Sequence, residues 1–123
     1  SDAQQQITPE KLKQITTNLK IRYEEGNAIE YKNKLANLRT QIDLVDQKLT
    51  ETLGKRMKIA DKIGILKKDN NVAILQNKRW NEILEKMILE GKENGLSKEF
   101  VLKIYKAIHQ ESINHQNKLH QDQ

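Results

Sequence analysis

The stretch LANLRTQIDLVDQKLTETLGKRMKIADKIGIL, residues 35–66, decides the fold. Leu35, Leu38, Ile42, Val45, Leu49, Thr52, Arg56, Ile59, Ile63 and Leu66 follow one another in steps of three and four. That is the seam of a helix that packs along its whole length. Arg56 stands where the pattern asks for a leucine. A guanidinium in the seam must be desolvated, and it is tolerated only when something anionic meets it. No matching acid is evident on the other inward faces. A negatively charged ligand inside a helical bundle is therefore the first functional expectation.

Working outward, this helix is expected from about Ala28 to Lys68, where Asp69-Asn70-Asn71 breaks it. At ~1.5 Å per residue it makes a rod of about 60 Å, longer than a compact domain of this size is wide. A second helix is predicted over about Ile74–Glu90, with Ile83, Leu84, Met87 and Ile88 inward and an end near Gly91 and Gly95. A third starts at Ser97 as N-cap and runs to about Leu119, with Val101, Ile104, Tyr105 and Ile108 inward. Two short helices cover one side of the rod, and the rest of the seam asks for a second copy. The expected fold is all-α, a three-helix chain with one long N-terminal helix, paired as an intertwined homodimer.

Residues 1–30 read as a leader or linker with a short helix, ahead of a functional domain over 31–123. Thr8 is a suitable N-cap with Pro9 at the first helical position, Leu12, Ile15 and Leu19 make a short stripe, and Gly26 is the expected stop. The start Ser1-Asp2-Ala3, without methionine, leads to the expectation of a domain cut from a longer polypeptide.

Composition narrows the classes. The chain has no cysteine, so disulfides and thiolate metal sites are excluded, which suits a reducing, cytoplasmic setting. No apolar run approaches the length of a membrane span, so no membrane association is expected. Net charge is +5 with a pI near 9.4, and nucleic acid is the reflex partner for such a protein. Yet the cations alternate with acids, as in Lys48-Leu49-Thr50-Glu51, and one Phe and one Trp offer little for bases to stack on. A solvated basic surface is the better reading, with no nucleic-acid partner.

The cations that matter are on inward faces. Continuing the third-helix stripe past Ile108 reaches Ser112 and then Gln116; going back from Ile83 gives Arg79 and Gln76. Lys67 projects from nearly the same face as Arg56, about three turns on. Arg39 flanks the seam about 25 Å from Arg56, too far for one small ligand to bridge within a chain. If Arg39 joins the same site, it must come from an antiparallel partner. The set Arg56, Lys67, Gln76, Arg79, Ser112, Gln116 and a partner's Arg39 holds cations and neutral hydrogen-bonders without a carboxylate, which suits a small dianion. Singly, each residue has a plainer reading: Arg56 bridged to Glu111 or Asp46, Lys67 and Arg79 as snorkelling cations, Ser112 and Gln116 as satisfied core polars. Their coincidence at one level of the bundle favours a site. His109, His115 and His120 form no metal set, and His109 and His115 fall on different faces; no catalytic role is expected of them. Trp80 reads as a packing residue.

These residues, in this order, resemble the all-helical chorismate mutases over about Leu35–Leu119. The motifs are Leu38-Arg39-xx-Ile42-xxx-Asp46, Lys55-Arg56, Ile63-Gly64-xx-Lys67, Arg79, and Glu111-Ser112-xxx-Gln116. The resemblance implies an intertwined dimer that rearranges chorismate to prephenate for phenylalanine and tyrosine synthesis, with no cofactor or metal. It further implies that Arg56 and the partner's Arg39 clamp the carboxylates, and that Lys67 and Gln116 flank the ether oxygen. Arg79 and Ser112 would complete the carboxylate shell, and the Gln76 region would meet the ring hydroxyl. Here the sequence departs from the family. A glutamate commonly follows the second-helix arginine, where this chain has Trp80, and Gln76 replaces a frequent aspartate. The run Gln76-Asn77-Lys78-Arg79-Trp80 is similar to mutase domains fused behind a heptulosonate-phosphate synthase, which implies such a fused or associated partner. Two alternatives stand beside this reading: an isochorismate pyruvate-lyase of the same fold, and a non-enzymatic basic helical dimer that binds nucleic acid or protein.

Overall fold

The computed structural model describes residues 7–121; Ser1-Asp2-Ala3 lies outside them. The chain forms three helices: α1 over Pro9–Asp69, α2 over Asn77–Glu93 and α3 over Lys98–Gln121. Among the described residues there is no strand, and no helix is long and apolar enough to cross a membrane. The all-α, three-helix expectation holds. The chain divides into two compact units, Ser1–Lys48 and Leu49–Gln123.

α1 begins as its sequence predicts. Thr8 Oγ1 accepts the Lys11 N–H at 3.1 Å, and Pro9 opens the helix. The expected stop at Gly26 does not occur, so the short helix expected from Thr8 to Gly26 is corrected to the first part of α1, from Pro9 on. Glycine ends a helix when it takes the left-handed conformation just past the last turn. Gly26 has no positive φ, and an interior glycine costs only about 1 kcal/mol, too little to break a run of good helix formers. In this first unit the stripe Leu12, Ile15 and Leu19 is exposed, as are Leu38, Ile42 and Val45 of the seam.

Within the second unit, α1 ends where Asn71 adopts φ 54°. The Val72 N–H reaches back to Lys67 O at 2.8 Å and the Asn71 N–H to Lys68 O at 3.2 Å, which satisfies carbonyls that the last turn would leave unpaired. α2 starts three residues later than expected, because Ile74–Gln76 are non-helical and Gln76 is an extended N-cap. It also runs through Gly91 and stops with Gly95 at φ 76°, by the same pair of bonds: Leu96 N–H to Gly91 O and Gly95 N–H to Lys92 O. Gly91 serves packing instead, since a Cβ there would meet Val101 Cγ2 of α3 at 2.5 Å. Ser97 caps α3 as predicted, its Oγ accepting the Phe100 N–H at 3.2 Å.

α3 docks on the face of α1 that carries Met57, Ala60, Gly64 and Lys68. Gly64 is the closest approach: a Cβ on it would lie 2.9 Å from Gln116 Cγ and 3.2 Å from Gln116 Cα. His115 bridges Asp61 at 2.9 Å and Glu111 at 3.1 Å, and Lys68 Nζ donates to Leu119 O at 3.3 Å. This face adjoins the seam, since one residue turns a helix by about 100°. The seam residues Leu49, Ile59, Ile63 and Leu66 accordingly remain exposed in the single chain. Ile104, expected inward, is also exposed, whereas Val101 is buried.

Candidate active site

Ser112 and Gln116 are the buried polar residues among those described, at 6% and 7% exposure. Buried hydrogen-bonding groups need partners, and both find theirs in cations of α1. Arg56 Nη1 donates to Ser112 Oγ at 2.6 Å, and the Ser112 hydroxyl donates in turn to Ile108 O at 2.9 Å. Lys67 Nζ donates to Gln116 Oε1 at 3.3 Å and to Ile74 O at 2.6 Å, tying α1, α3 and the segment before α2 together. Burial lowers the Lys67 pKa from its ordinary 10.5, since desolvation disfavours the charged form.

These residues line a cleft of about 470 Å³ within the second unit, a size that suits a small organic ligand. Gln76 and Arg79 line it from the start of α2; both are exposed, and Arg79 sits 3.9 Å from Glu82. Ile59, Ile63, Ile74, Ile83 and Ile113 supply apolar walls. Among the described residues, no carboxylate lines the cleft. Glu111, considered as a bridge for Arg56, is engaged with His115.

Six of the seven expected site residues thus share one cleft: Arg56, Lys67, Gln76, Arg79, Ser112 and Gln116. Arg39 is exposed on α1 in the first unit and does not line it. Two residues set aside from the sequence do line it. Trp80 and His109 stack face to face, with ring centroids 4.0 Å apart and planes within 12°. The His109 pKa is lowered from 6.5, first by burial and then by the charges of Arg56 and Lys67. The signal for His109 was present, since His109, Ser112 and Gln116 follow steps of three and four along α3. His115 faces away toward Asp61, so the two histidines do lie on different faces. No cluster able to hold a metal ion occurs among the described residues.

A cleft of cations and amides without acids can bind a dianion, orient it, and stabilise negative charge that grows on an ether or carbonyl oxygen. The comparisons agree with that chemistry. A family profile, chorismate mutase type II, matches residues 38–117. A bifunctional chorismate mutase/prephenate dehydratase of Buchnera aphidicola subsp. Acyrthosiphon pisum is 33% identical over 87 residues, covering 71% of this chain and 23% of that protein. The protein of the same name from Aquifex aeolicus is 33% identical over 78 residues, covering 61% and 22%. The chain therefore spans less than a quarter of the length of the curated relatives it matches. The second activity in their names is prephenate dehydratase, not the heptulosonate-phosphate synthase that the run Gln76–Trp80 suggested; five residues around a cleft carry little information about a fused neighbour. The match over residues 38–117 covers more than half of the chain and includes every cleft residue, and the chain belongs to the type II chorismate mutase family.

Proposed function

We propose that this chain catalyses the pericyclic rearrangement of chorismate to prephenate in a cytoplasmic route to phenylalanine and tyrosine. The observation that carries the reading is the acid-free cleft in which Arg56 and Lys67 hold Ser112 and Gln116. Arg56 and the partner's Arg39 clamp the two carboxylates, and Arg79 and Ser112 complete the shell around them. Freezing both carboxylates folds the enolpyruvyl arm over the ring, the conformer from which the new carbon–carbon bond forms. As the carbon–oxygen bond breaks, its oxygen gains negative charge. Lys67 and the amide hydrogens of Gln116 donate to it. An acceleration of ~10⁶ asks about 8 kcal/mol of these two effects together.

The functional unit in this proposal is an intertwined homodimer, with residues 31–123 as the mutase domain and 1–30 as its leader. Exposed Leu38, Ile42 and Val45, and exposed Leu49, Ile59 and Leu66, support it: an apolar helix stripe of this kind is stable when covered. The partner's Arg39 then completes the carboxylate clamp, and Gln76 lies at the rim of the site. The test is loss of chorismate absorbance on adding purified protein, with prephenate as product. Pyruvate release from isochorismate, with chorismate untouched, would instead identify the lyase.

A further inference from the structure

Sorted by hydrogen-bond direction, the cleft is strongly biased toward donors. Arg56, Lys67 and Arg79 can only donate. The Ser112 oxygen already accepts from Arg56 and its hydrogen is spent on Ile108 O. Gln116 Oε1 and Ile74 O each accept a hydrogen bond from Lys67, which turns one lone pair of each toward that cation. Such a lining matches two carboxylates and an ether oxygen, all of them acceptors. Chorismate also carries one hydrogen-bond donor, the hydroxyl on its ring. That hydrogen needs an acceptor, and leaving it unmet on burial is unfavourable.

Two lining side chains offer an acceptor that is not already bonded to a cation of the cleft. Gln76 is exposed, at an extended N-cap position, where water competes for its oxygen. His109 is half-buried on α3, three residues before Ser112, and its ring is held flat against the indole of Trp80. Stacking on one face leaves the edge nitrogens as the ring's polar outlet and fixes the plane in which they point. The charges acting on the ring are those of Arg56 and Lys67 from α1, and Arg79 of α2 lines the same cleft; all three are cations. Beside them the imidazole stays neutral at neutral pH, with one nitrogen carrying a lone pair and the other a hydrogen. Trp80 offers only an N–H.

We propose that His109, fixed by its stack on Trp80, accepts the hydrogen bond of the substrate's ring hydroxyl and so selects hydroxylated dianions. This rests on the chorismate reading above. The test compares kcat/KM of wild type, His109→Phe and His109→Gln on chorismate and on its analogue with hydrogen in place of the ring hydroxyl. On chorismate, His109→Phe falls about tenfold, in line with a hydrogen bond of ordinary strength, while His109→Gln, which keeps an acceptor, recovers most of the loss. On the deoxy analogue wild type falls by a similar factor, and the ratio of wild type to His109→Phe shrinks toward one. Equal fold-losses on both substrates, with helical content unchanged, overturn the assignment and leave the mutase reading standing. The same holds if Gln76→Ala collapses the ratio in place of His109→Phe. A wild type that leaves chorismate untouched overturns both.

Discussion

The side-chain carbonyl of Gln116 accepts a hydrogen bond from Lys67, Nζ to Oε1 at 3.3 Å, across the packing of α3 on α1. Because this bond turns the oxygen toward Lys67, the amide hydrogens are the donors that Gln116 can offer a ligand. Two donors are thereby brought to one place, one charged and one neutral. This is the arrangement that a breaking carbon–oxygen bond uses best.

Arg56 and Lys67 should carry most of the rate. Arg56→Ala and Lys67→Ala are expected to keep their helical circular dichroism yet lose at least two orders of magnitude in kcat/KM, about 2.7 kcal/mol or more. Near-normal turnover by folded Lys67→Ala would remove it from the chemistry.

The shared site can be tested by complementation. Arg39→Ala and Arg56→Ala proteins, each inactive alone, should regain activity when unfolded together and refolded, because one site of a mixed dimer then has both arginines. A mixture as inactive as its parents, or sedimentation of the active protein as a monomer, would exclude a site built from two chains.

The pH profiles should separate the roles of the two donors. His109, with its pKa lowered from 6.5, is neutral at neutral pH. Wild-type kcat should therefore be nearly flat from mildly acidic to mildly basic pH. Since its pKa is depressed, Lys67 loses its proton as pH rises through a value below 10.5, so kcat/KM should fall at the alkaline end. Gln116→Glu puts a carboxyl where a donor is needed: ionised it repels the developing charge, protonated it donates again. This variant should be poor at pH ~8 and recover on acidification, with the midpoint at that carboxyl's pKa in the complex. A profile as flat as wild type would show that Gln116 does not face the bond.

Gly64 and Gly54 should respond oppositely to alanine. At Gly64 the new methyl would meet Gln116 at 2.9 Å, whereas Gly54 has nothing within 4 Å. Gly64→Ala should cost about 1–3 kcal/mol and lower kcat as well, because α3 carries Gln116 and Ser112 away from their cations. Gly54→Ala should gain about 0.5–1 kcal/mol from helix propensity with kcat unchanged. Denaturation midpoints and kcat, read side by side, decide the matter.

The sequence alone determined what depends on neighbours along the chain. Thr8 and Ser97 cap because their hydroxyls reach an N–H three residues on, and the stripes of α1 and α3 follow from helical spacing. The same spacing puts Arg56, Lys67, Ser112 and Gln116 on inward faces. What the tertiary structure decided lies between elements. Gly26, Gly64 and Gly91 look alike in sequence, yet Gly26 is one more residue of α1, while Gly64 and Gly91 admit Gln116 and Val101 to close approach. His109 carries no expected role in the sequence and Trp80 reads there as a packing residue, but the fold stacks the two rings, from different helices, at the cleft. The close approach of α3 to α1 at Gly64, beside the seam whose Leu49, Ile59, Ile63 and Leu66 remain exposed in the single chain, is likewise a matter of tertiary fit. Local rules concern hydrogen bonds and periodicity within one segment. Which faces meet depends on the fit of surfaces distant in sequence, and no window along the chain contains both.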